Sequence, residues 1–259
     1  MNRLMFSSAL ALSVAALATT LLAGTASAVL YGTFFSPTGD VTFVDVEDLN
    51  GLYGAPVASG NSLDFSPNTF EAQCPLGGCP PTTNLVTDTL TFQVDANGGF
   101  FIEDIILSES GDLNINDFTI PVGFAAVTVS ANVFVDILEL DGVPVSGINA
   151  NDVMTFTNGG AWDTSSEPNG AQIWSGGLDL DIDAVIANAG QVGRATLVEL
   201  SIANTLTAEA QNGAQAFIEK KDIDGLAITV VPEPGTALLM LLGLGGLSAA
   251  GRRSGAARS

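Results

Sequence analysis

Apolar and polar side chains alternate with period two through most of this chain, and that pattern confines it to strands with one buried and one wet face. Leu90, Phe92 and Val94 share a face. Val127, Val129, Ala131, Val133, Val135 and Ile137 repeat the pattern at length, and so do Val198, Leu200 and Ile202, then Leu226, Ile228 and Val230. Leu178, Leu180 and Ile182 alternate with Asp179, Asp181 and Asp183, which predicts a strand with an acidic wet face. Turn residues punctuate the runs. Asp141-Gly142 and Asn212-Gly213 each predict a hairpin, and Asn97-Gly98-Gly99 separates two further strands. Many short strands joined in this way imply an all-β body, an antiparallel β-sandwich or jelly roll. A short helix fits near Asp183 to Ala189. The Pro- and Ser-containing stretch from Ser59 to Thr83 reads as a long irregular excursion.

The two ends break this pattern. Met1-Asn2-Arg3 gives a positive start, Leu10 to Ala23 is almost wholly apolar, and Ala26-Ser27-Ala28 has the small residues that signal peptidase cuts after. Residues 1–28 therefore read as a secretory signal peptide, delivered through the Sec translocon. At the other end, Val231-Pro232-Glu233-Pro234 precedes an apolar run from Thr236 to Ala250, and Arg252, Arg253 and Arg258 follow. As a single hydrophobic helix the run would be about 22 Å long, short for roughly 30 Å of hydrocarbon, and the arginines resist crossing. Gly243, Gly245 and Gly246 weaken it further as a lasting anchor.

This order of parts resembles the PEP-CTERM sorting signal, the tag read by exosortases in Gram-negative bacteria that export polysaccharide. The resemblance covers residues 231–259 and implies a division into a signal peptide (1–28), a β-sandwich body (29–230) and a sorting signal. It implies that Val231, Pro232, Glu233 and Pro234 are recognised by exosortase, and that Arg252 and Arg253 hold the tail on the cytoplasmic side. The chain would sit transiently in the inner membrane and then reach the outer cell surface or the extracellular polysaccharide matrix.

Charge limits what the body can bind. All but one of the 28 acidic residues lie between the two signals, against only Arg194, Lys220 and Lys221. Phosphate backbones repel such a surface, so nucleic acid is excluded as a partner. Histidine is absent, which removes Ser-His-Asp and Cys-His catalysis and His-ligated zinc. Cys74 and Cys79 are the only cysteines and lie in the exported part, so they are expected to form a disulfide that pins one loop.

Three sites invite a functional reading, each beside a structural one. Asp179, Asp181 and Asp183 would offer oxygen ligands to Ca2+, although Ala184 and Gly190 stand where an EF-type loop needs glycine and an acid. Asp112 to Asp117 has similar oxygen spacing and fails the same test, reading otherwise as a strand with a polar face. Trp162, in Asn158-Gly159-Gly160-Ala161-Trp162-Asp163, could stack on a sugar ring or pack in the core. No resident cofactor and no catalytic motif is legible, and acids are too many to single out a hydrolytic pair. The expectation is an exported, non-enzymatic surface or matrix protein, with a carbohydrate-binding module on the same sandwich as the alternative.

Overall fold

The computed structural model of the chain describes residues 28–67, 69–76, 79, 83–118, 123–221 and 225–234. The signal-cleavage residue Ala26, the hydrophobic span and Arg252 and Arg253 lie outside the described residues, which begin at Ala28 and end at Pro234. Among the described residues no helix is long and apolar enough to cross a membrane.

The body is all-β and antiparallel. Its strands are β1 (Val29–Phe35), β2 (Val41–Asp48), β3 (Val57–Ser59), β4 (Ser62–Phe65), β5 (Glu71–Cys74), β6 (Thr83–Ala96), β7 (Phe100–Asn116) and β8 (Phe124–Leu140). They continue with β9 (Val143–Pro144), β10 (Asn149–Val153), β11 (Thr155–Phe156), β12 (Ala161–Asp163), β13 (Gly170–Asp181), β14 (Ala195–Gln211), β15 (Gln215–Lys220) and β16 (Leu226–Pro234). One sheet runs β1-β2-β6-β14-β8, and β9, β10 and β12 follow one another along the free edge of β8. In the second, β7 is central. It pairs β13 on one side and, end to end on the other, β16 and β15, which in turn pair β4 and β5. Among the described residues a single pairing, Ala195 with Ile102, links the two sheets at a corner.

The alternating apolar residues fill the space between the sheets as one core. Leu90, Phe92 and Val94, the even-numbered face of β14, and the odd-numbered faces of β7 and β8 are buried together. The Asp141-Gly142 turn makes the expected hairpin. Asp141 and Gly142 have φ of 51° and 77°, and Leu140 pairs Val143. The Asn212-Gly213 turn has the same backbone sign but joins no hairpin. Both edges of β14 are already taken by β6 and β8, so the chain crosses to the other sheet and β15 pairs β5 and β7 instead.

Two further expectations are corrected. The stretch from Ser59 to Thr83 is not wholly irregular. It holds β4 and β5, whose buried Leu63, Phe65, Ala72 and Cys74 alternate over runs too short to stand out in the sequence. The acidic-faced strand ends at Asp181 rather than running on through Asp183. There the helix α1 (Ile182–Asn188) begins, because the Asp181 carboxylate accepts the Ala184 N–H at 2.7 Å and caps it. The Cys74–Cys79 disulfide is formed, with Cα atoms 4.9 Å apart.

Candidate functional site

Three places concentrate polar chemistry. The first is the end of β16. The motif residues Val231 to Pro234 do not hang free: β16 carries them as a strand along β7, with Pro232 opposite Ile102, Glu233 opposite Phe101 and Pro234 opposite Phe100. A register shift falls between Val231 and Pro232, and the pairing with β4 stops at Thr229, so the prolines sit where a missing N–H breaks no ladder on that side. Glu233 is ion-paired and hydrogen-bonded to Arg194, whose guanidinium also lies 5.2 Å from the Phe101 ring. Arg194 holds the Glu233 carboxyl below its ordinary range, with Glu103 assisting. Burial pushes Glu103 the other way, and its hydrogen bond to Glu233 adds to that, so the pair shares a proton more readily than isolated acids do.

The second place is an outward-facing groove of about 460 Å³ on the first sheet. Phe134 of β8, 49% exposed, forms its apolar floor. Cross-strand register sets Asn151 and Ser201 on either side of Phe134, and Asn149 and Glu199 on either side of Asp136. Glu199 accepts a hydrogen bond from Gln93 at 3.1 Å, which fixes one wall. An exposed ring bordered by amides, a hydroxyl and carboxylates is the composition of a polar-ligand groove.

The third place is buried. Glu109 of β7, Asn204 of β14 and Lys220 of β15 all point into the core, and the side chains of Glu109 and Lys220 are 0% exposed. Asn204 Nδ2 donates to Glu109 Oε1 at 2.5 Å, and Lys220 Nζ lies 2.7 Å from Oε2 of the same carboxylate. The rings of Phe70, Tyr53 and Trp174 stand 5.4, 5.6 and 5.8 Å from Nζ. Sequence reasoning passed over this cluster. Its signal was there: Lys220 falls in phase with Ala216 and Ile218, Glu109 with Leu107 and Leu113, and Asn204 with Ile202 and Leu206.

The sites expected from sequence fare differently. Trp162 is 4% exposed: it sits on β12 opposite Val127 with its side chain in the core, so it offers no platform to a sugar. The glycine-rich turn before it is polar, but the strand that follows turns the indole inward. Asp163 beside it is spent on the backbone N–H groups of Ser165 and Ser166. Asp179, Asp181 and Asp183 do not converge, since the first is on β13, the second caps α1 and the third lies in its first turn. Among the described residues no group of three or more Asp, Glu, His or Cys side chains is placed to hold a metal ion. Asp112, Asn114 and Asn116 line the outer face of β7, as a polar strand face should.

Residues 230–254 match the family model described as the PEP-CTERM protein-sorting motif, so this is an all-β protein carrying a PEP-CTERM motif. That motif implies exosortase processing, export and sorting to the cell surface. No curated protein matches the chain. Among solved structures, it is similar to the carbohydrate-binding module TmCBM61 in complex with β-1,4-galactotriose, at 10% identity over 77% of this chain and 87% of that one, with a TM-score of 0.22. It is also similar to the enzymatically active domain of bacteriophage CBA120 tailspike protein 4, at 12% identity over 79% of this chain and 19% of that one, with a TM-score of 0.20. Scores this low carry no inference about ligand or activity.

Proposed function

We propose that the protein is a non-enzymatic component of the cell surface or extracellular polysaccharide matrix, delivered by exosortase after passage through the Sec translocon and signal peptidase. The observation that carries this reading is the sorting motif at residues 230–254, whose first five residues lie in the last described strand of the all-β body. A body with most of its backbone in strand ladders and an acidic surface suits a scaffold that must stay soluble outside the cell. Within this reading, residues 231–259 form the sorting signal, with Val231 to Pro234 as the recognised motif and Arg252 and Arg253 as the cytoplasmic stop. The test is intact-mass measurement of the exported protein. Glu233→Ala, or replacement of Arg252 and Arg253 by alanine, leaves a precursor with its C-terminal tail; normal trimming in both variants refutes the assignment.

A second reading is favoured by the Phe134 groove: the sandwich binds a glycan there, with the ring as platform and Asn149, Asn151 and Ser201 as hydrogen-bonding partners. This places the contact on the first sheet's outer face rather than at Trp162.

A further inference from the structure

The buried Lys220–Glu109–Asn204 cluster is poorly satisfied as it stands. Lys220 Nζ and Glu109 Oε2 are ion-paired to each other at 2.7 Å and have no other partner among the described residues, and Asn204 Oδ1 has none there. An ammonium group brings three donors and a full charge into the core, and three aromatic rings cannot replace the water it has lost. A buried ion pair repays its desolvation only when its remaining lone pairs and protons find partners. A buried ion pair with no further partner, beside an amide oxygen with none, therefore calls for a chemical explanation.

We infer that Lys220 and Asn204 are joined by an intramolecular isopeptide bond, formed autocatalytically with Glu109 as the proton carrier. Lys220 Nζ attacks Asn204 Cγ, forming a C–N bond, and the Cγ–Nδ2 bond breaks. Glu109 takes a proton from Nζ through Oε2 and delivers one to Nδ2 through Oε1, so that the nitrogen leaves as ammonia. The reaction is redox-neutral and needs no co-reactant. The geometry suits each role, because one carboxylate bridges nucleophile and leaving group, at 2.7 Å from Nζ and 2.5 Å from Nδ2. Attack requires the neutral amine, and burial pushes Lys220 down from its ordinary value while the Glu109 charge opposes that shift. The surrounding Tyr53, Phe70 and Trp174 rings exclude water, which would otherwise solvate the amine and compete for the carbonyl carbon. The product removes the charge and leaves a single amide N–H in place of three ammonium donors.

The bond would tie β15 of one sheet to β14 of the other, through the middle of the core. Pulling the sheets apart would then require breaking a covalent bond, a useful property in a protein exposed to shear and proteases outside the cell.

Peptide mass mapping of the purified, reduced and denatured protein tests the inference. Trypsin cleaves after Arg194 but is blocked at an acylated Lys220, so the expected product is the peptide from Ala195 to Lys221, lighter by one ammonia, about 17 Da. Its fragmentation spectrum should lack backbone breaks between Asn204 and Lys220. Glu109→Gln and Lys220→Arg should each abolish the deficit. Cleavage after Lys220 in the wild-type protein overturns the inference, whether the peptide has its full mass or carries the same deficit as a succinimide at Asn204. The wild-type map decides the matter even if a variant fails to fold.

Discussion

Gly111 is where the architecture leaves least room, and replacing it by alanine should be among the most damaging single-methyl changes in the protein. Gly111 is opposite both Trp174 of β13 and Lys220 of β15. Its φ is not in the left-handed region, so the objection to a side chain is purely steric: a Cβ would overlap the Glu219 carbonyl oxygen and the benzo carbons of Trp174. Neither can rotate away. The oxygen is backbone, and the indole is fixed by its N–H donated to that same oxygen at 3.2 Å and by edge contact with Phe156. Overpacking typically costs about 1–3 kcal/mol, and the upper end applies where backbone must move. Losing the Trp174 hydrogen bond adds about 1 kcal/mol. The sum, roughly 4 kcal/mol, is a large part of the ~5–15 kcal/mol that keeps domains folded. For a body of this size it should lower Tm by roughly 10 °C. Thermal unfolding followed by near-UV circular dichroism, with the disulfide intact, reads this directly. Gly98→Ala is the control, since a Cβ there meets nothing within 4 Å and the change should stay within about 0.5 kcal/mol. In a Trp174→Leu background the Gly111→Ala change should cost less, because the ring it collides with is gone. A Gly111→Ala protein that melts with the wild type would refute the packing argument.

The other predictions concern the Asp48–Asp88 pair and the Phe134 groove. Asp48 is pushed up to about 7, chiefly by burial and next by its hydrogen bond to Asp88, while the Tyr53 and Gly51 N–H groups oppose this. Because the native state holds this proton where the unfolded chain, at 3.8, has released it, the contribution to stability is full below about pH 4 and is lost as pH rises through 7. Tm measured from pH 4 to 8 should therefore fall more steeply for the wild type than for Asp48→Asn, and parallel profiles would contradict the assignment. Phe134→Ala should leave Tm nearly unchanged, because half the side chain is already in water, yet abolish any glycan retention seen in affinity electrophoresis. Retention that survives the change would move the contact elsewhere.

The strand content of this protein was legible because alternation is a local property. Leu90, Phe92, Val94 and the long apolar face of β8 announce their burial from spacing alone, and Asp141-Gly142 announces its hairpin from the φ > 0 that only a few residues tolerate. Spacing could not say which edges were free, so Asn212-Gly213 reads like its counterpart yet sends the chain to the opposite sheet. Nor could it say where a strand gives way: Asp181 caps a helix because its carboxylate reaches the Ala184 N–H. Trp162 read from its neighbours as either a sugar platform or a core residue, and the pleat decides which way the indole points. Asn204 and Lys220 lie on consecutive strands of opposite sheets and Glu109 lies 95 residues before Asn204, so no local pattern can bring the three together. The tail motif is different again, since it is read as a linear string of residues and was recognisable at sight. What the tertiary structure adds there is that Glu233 is held by Arg194 and paired along β7. Burial periodicity is written along the chain; pairing between distant strands, and the chemistry it brings into contact, is settled only when two sheets close over one core.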